Sequence, residues 1–82
     1  MTLLETNKKY LCVIDSELIV LMHNNIFGDV ALMSLVWNKT DGVIYGISTT
    51  TIVNKHEILE DLGYDFEDQL DRIKEQFPEY FV

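Results

Sequence analysis

Asp65, Glu67, Asp68 and Asp71 gather four carboxylates within seven residues, a density of oxygen ligands that a hard cation could use. A calcium loop of the helix-loop-helix kind needs glycine at its sixth position for the sharp turn and a bidentate glutamate at its twelfth. Counted from Asp65 those places hold Leu70 and Gln76, so the loop is incomplete and no metal is expected. His23 and His56 have no second ligand at zinc spacing, and Cys12 is the lone cysteine. Its place in an apolar run points to a buried thiol and rules out an internal disulfide.

Catalytic patterns are equally incomplete. The chain has no phosphate-cradling glycine loop and no nucleophile elbow. Asp15 and Glu17 could exchange protons with a substrate, but flanking a turn they read as solvated edge residues. The expectation is therefore no catalytic residue, no cofactor and no enzyme, which leaves binding as the chemistry to explain.

Charge shapes that expectation. The 82 residues carry a net −8, and it is uneven: residues 57–82 hold nine acids against Arg72 and Lys74, which is −7 of the total. Such a surface repels phosphate backbones and anionic headgroups, so the expected partner is a basic protein, including a nucleic-acid-binding enzyme, and neither nucleic acid nor membrane directly. The longest apolar runs fall far short of a membrane span and the first residues lack a signal-peptide core, which suggests a cytoplasmic protein. A hydrophobic content of 48% with 11% aromatics is enough for the core of one domain over 1–82.

The elements that would position these side chains follow from pattern. KYLCVID, LIVLM, DVALMSLVW and VIYGISTTTIV are β-prone runs. Asp41-Gly42 between the last two marks a hairpin, because Gly42 tolerates the positive φ that the turn demands. In the second of them Val43, Tyr45 and Ile47 alternate with Ile44, Gly46 and Ser48, and Gly46 suggests a bulge. His23, beside Asn24 and Asn25, reads as a turn residue.

The last third reads as helical. Asn54 and Glu57 form a capping box, Val53 and Ile58 a hydrophobic staple, and a helix is predicted over roughly 55–62 with Gly63 as its left-handed cap. Phe66, Leu70, Ile73 and Phe77, spaced 4, 3, 4, predict a second helix that Pro78 ends. Asp68 and Arg72 should pair at i,i+4, while Glu67–Asp71 and Asp71–Glu75 set like charges about 5–6 Å apart, near phosphate spacing. The predicted fold is α+β: a three- to four-stranded antiparallel sheet from residues 9 to 53, followed by two C-terminal helices. These pack on one face through Ile58, Leu59, Leu62, Phe66, Leu70, Ile73 and Phe77.

On that frame the partner-binding surface is expected at Glu60, Asp61, Glu67, Asp68, Asp71, Glu75 and Glu79, with Trp37, Tyr64 and Tyr80, and also Tyr45, as aromatic anchors. The function read from this is a small acidic inhibitor of a host protein, a DNA mimic of the bacteriophage or mobile-element type. An immunity or antitoxin antidote to a basic toxin or nuclease is the near variant, and a structural homodimer is the plain alternative. The tail QFPEYF resembles short peptides that dock on bacterial sliding clamps, but Glu79 stands where those carry an aliphatic residue.

Overall fold

The structure, a computed structural model, describes residues 4–44 and 50–81. It is a six-stranded antiparallel curled sheet with one short helix. The strands are β1 (Lys9–Ile14), β2 (Glu17–Phe27), β3 (Val30–Asn38), β4 (Gly42–Val43), β5 (Thr50–Asn54) and β6 (Ile58–Gly63), and the helix is α1 (Leu70–Gln76). Turns of 3₁₀ helix occupy Lys55–Glu57, Glu67–Gln69 and Pro78–Tyr80.

Short turns drive the meander. Asp15 and Ser16, both at positive φ (51° and 65°), join β1 to β2 in a two-residue loop closed by the pair Ile14–Glu17. Gly42 takes φ 70°, and the Asn38 side chain accepts from the Asp41 N–H at 2.6 Å, so the expected hairpin forms between β3 and β4. β5 then continues along the same edge of β3, with Leu32 opposite Ile52. Tyr45, Gly46, Ile47 and Ser48, with the bulge suggested there, lie outside the described residues.

The strand order β5-β3-β2-β1-β6 forces curvature. Laid flat, its outer strands would stand about 19 Å apart at ~4.8 Å per strand. The linking residues Lys55–Glu57 form a 3₁₀ turn, whose rise of about 2 Å per residue reaches less than half that distance. The sheet therefore bends around, helped by register shifts in β2–β3 between Val20 and Leu21 and between His23 and Asn25.

Two apolar clusters result. Tyr10, Cys12, Leu21, Ala31, Met33 and Val53 are enclosed where the sheet closes on itself. Leu11, Leu18, Val20, Val36, Trp37 and Leu62 line the other face, covered by Phe66 and Ile73 of the C-terminal segment, with Leu70, Phe77, Tyr80 and Phe81 packed alongside. Alternate residues of β1 serve opposite clusters, so that strand is buried on both faces.

This corrects the α+β expectation of two packed helices. The capping box is present, with the Asn54 side chain accepting from the Glu57 N–H and Glu57 accepting from the Asn54 N–H at 3.3 Å, but it opens a single 3₁₀ turn. The predicted helix 55–62 is instead mostly β6, paired antiparallel with β1. Gly63 is left-handed at φ 75°, yet it ends a strand. Ile58 joins the other cluster and Leu59 faces solvent, so only Leu62 of the predicted first helix packs as expected. His23 lies inside β2, opposite Met33, and is buried.

Candidate functional site

The nominated acids divide by what holds them. Glu60 and Asp61, on β6, are used within the chain: Arg72 Nη2 lies 2.8 Å from Glu60 Oε1, and Lys8 Nζ donates to Asp61 Oδ2 at 2.9 Å. Asp61 also accepts from the Gly63 N–H at 2.8 Å. Desolvation opposes ionisation of Asp61, but the Lys8 ammonium and the Gly63 N–H outweigh it and hold the carboxyl below its ordinary range. In return Asp61, then Glu5 at 3.3 Å, hold the Lys8 ammonium above its ordinary value.

Arg72 does not take Asp68 as its partner. Its guanidinium reaches Glu60 on β6 and also donates to Gln76 and Gln69 at 2.7 and 2.9 Å, tying α1 to the sheet edge. Gln69 adds to this clamp by donating to the carbonyls of Leu62 and Asp65, both at 2.8 Å. Asp68, Asp71, Glu75 and Glu79 are exposed, and none has an ion pair among the described residues. Helix and clamp together present unneutralised charge outward.

The aromatic residues separate in the same way. Trp37 is 4% exposed and stacks at a tilt on Phe81, ring centroids 6.1 Å apart, so it belongs to the core. Tyr80 and Phe81 fold back onto the same cluster, which places the QFPEYF segment against its own sheet and leaves no free peptide for a clamp. Tyr64 differs, being 55% exposed after β6. Its hydroxyl donates to Glu5 at 3.4 Å, and the Lys8 ammonium stands 6.0 Å from its ring centroid.

Three of the nominated residues meet in one place. A depression of about 520 Å³ is lined by Lys9, Tyr64, Asp65, Phe66, Glu67 and Asp68. It unites three of the nominated partner-binding residues, Tyr64, Glu67 and Asp68, and adds Asp65, named above only as a carboxylate of an incomplete cation loop, and Lys9. The signal for Asp65 was available: it directly follows Tyr64 and precedes the buried Phe66, and so must lie at the surface. A second cleft, of about 320 Å³, is mainly apolar, walled by Ile14, Ile19, Leu21 and Leu35 with Asp15, Glu17, Asn38 and Thr51.

Among the described residues no group of three or more His, Cys, Asp or Glu could hold a metal ion, and no helix is long and apolar enough to cross a membrane. Comparison with family models, curated proteins and solved structures gave no match. The DNA-mimic description is corrected by the fold: continuous phosphate-like rows needed two acidic helices, whereas Glu60 and Asp61 lie on a strand in ion pairs and α1 is seven residues long. The inhibitor, bacteriophage and host-takeover descriptions have no observation behind them in this mostly β fold.

Proposed function

We propose that this chain is a protein-binding module that receives a basic segment of its partner in the depression beside Tyr64. The observation that carries this reading is the meeting of an exposed aromatic face with the carboxylates of Asp65, Glu67 and Asp68 in one concavity. A lysine or arginine side chain there gains attraction to the ring quadrupole and to the acids at once. Asp71, Glu75 and Glu79, all exposed, extend the negative field beyond the depression and would steer approach. Lys8, already drawn to the limit of cation–π range on Tyr64, is an internal example of the same attraction.

The test is titration of the whole chain with a fluorescent lysine- and arginine-rich peptide. Binding should weaken steadily from about 50 to 500 mM salt, because exposed charges are screened within a Debye length. Tyr64→Ala should weaken it about two- to fivefold, the equivalent of an exposed cation–π contact. Asp68→Lys should weaken it more than Glu17→Lys, which changes net charge equally but lies outside the depression. Equal losses from those two charge reversals, with none from Tyr64→Ala, would mean that net charge alone attracts the peptide and that the depression is not a site.

A further inference from the structure

The interior of the curled sheet is filled at one end and open at the other. At the filled end Tyr10 and His23 meet edge-on at 6.3 Å, both buried. Leu4 packs against the same cluster, and the Glu5 N–H donates to the Tyr10 hydroxyl at 2.9 Å. At the other end the inner residues are aliphatic. Ile14, Ile19 and Leu35 are only partly buried above the fully buried Leu21, and between them lies the apolar cleft of about 320 Å³.

Alternation along β2 decides what stands at the mouth of that cleft. Leu18 and Val20 belong to the opposite cluster, so Glu17 shares the inner face with Ile19 and Leu21. Paired with Ile14 across the first hairpin, it lines the cleft instead of turning away from it. Asp15, in the turn itself, adds a second carboxylate. Among the described residues neither acid takes part in an ion pair. Asn38, at the same rim, is already engaged with Asp41.

We propose that this cleft binds a small amphipathic amine, its apolar body on Leu21 between Ile14, Ile19 and Leu35 and its ammonium at the mouth beside Glu17 and Asp15. Size and charge select that occupant. The volume lies at the small end of the range of about 300–1,000 Å³ usual for small-molecule sites, and equals about ten water molecules at ~30 Å³ each. An alkyl chain or single ring seated there removes apolar surface from water on both partners. The sign of the head group follows from the rim: two unpaired carboxylates, in a chain of net −8, attract a cation and repel the carboxylate of a fatty acid of equal length. Because both acids are exposed, the ammonium stays wet while its stem is buried, and no charge has to be desolvated.

This inference does not rest on the basic-segment reading, and Tyr64→Ala should leave it untouched. The test is titration of the whole chain with octylammonium, 1-octanol and octanoate, followed by methyl NMR shifts of Ile14, Ile19, Leu21 and Leu35. Octylammonium should bind with a Kd of about 1 mM or tighter, as a ligand of this size can. Octanol should bind about three- to tenfold more weakly and octanoate more weakly still, with the differences shrinking as salt rises. Asp15→Asn combined with Glu17→Gln should lower octylammonium to the affinity of octanol. Asparagine tolerates the positive φ of position 15, and both sites are exposed, so this variant keeps the fold. Leu35→Phe, which puts a ring into the cleft, should abolish binding of all three. No methyl shift with octylammonium up to about 5 mM, equal affinity for octylammonium and octanoate, or full affinity in the double charge variant would each overturn the proposal.

Discussion

Single side chains decide much of this molecule's chemistry, and Cys12 is the clearest case. Burial, reinforced by the negative field of Glu57, pushes its thiol up to about 12, from an ordinary value of 9.0. The thiolate is the reactive form, so the native protein at pH 8 should resist iodoacetamide and react only once denaturant is added. The sign for stability follows from the same shift. Above pH 9 the unfolded chain releases this proton while the folded chain keeps it until about pH 12. Stability on this account is intact below pH 9 and declines across the window from 9 to 12. A denaturation midpoint that stays flat over that window in the native protein, yet falls in Cys12→Ala, would contradict it. His23 supplies a second test at this scale. It is buried beside Tyr10 in an edge-on contact at 6.3 Å, and among the described residues neither ring nitrogen has a hydrogen-bond partner. Burying unpaired polar atoms is unfavourable, so His23→Leu should raise stability by about 1 kcal/mol, read from urea unfolding followed by Trp37 fluorescence. A lower midpoint would show that the ring is satisfied in the folded chain.

Among the elements, most strands were legible in the sequence and β6 was not. Ile58 and Leu62 are four apart, a spacing that puts them on one side of a helix, whereas the register shifts of β6 against β1 deliver them to opposite clusters. The capping box at Asn54 and Glu57 and the staple expected of Val53 with Ile58 then favoured the helical reading; the box forms around one 3₁₀ turn, and Ile58 packs against the cluster that holds Val53. Tertiary pairing with β1 overrode local preference: Tyr10 opposite Asp61 and Leu11 opposite Glu60 enlist the segment as an edge strand. The partner-binding residues were legible by charge, but their grouping was not. Glu60 and Asp61 differ from Asp68 only in having Arg72 and Lys8 within reach, which is a property of the fold. The period of the second helix was a sounder guide. Ile73 is the one buried residue of α1 and, with Phe66, covers Leu11, Val20 and Trp37. Ile73→Ala should destabilise the protein by about 2–4 kcal/mol and red-shift Trp37 emission as α1 loosens. Loss of stability without any change at Trp37 would place that residue's environment under the control of Phe81 alone.

For the whole molecule the governing quantity is uncompensated charge. Fourteen acids face six lysines and arginines, and the structure uses two of those cations, Lys8 and Arg72, to hold β6 and α1 in place. Repulsion among the remaining carboxylates opposes the compact state, so the thermal midpoint should rise as sodium chloride increases from about 10 to 200 mM. Asp71 and Glu75 make the effect local, because they are like charges at i,i+4 on one exposed helix face. Glu75→Lys replaces that repulsion with attraction and puts a cation near the helix C-terminus, where the dipole favours it. It should therefore stabilise the protein by about half a kcal/mol in low salt, with the gain shrinking as salt rises. If the same substitution also weakens the basic peptide, the acidic face is retained against the interest of stability, which is the mark of a surface kept for a partner. If stability improves and peptide binding is untouched, the working surface is confined to the depression at Tyr64. The charge on α1 then serves only to keep copies of the chain apart.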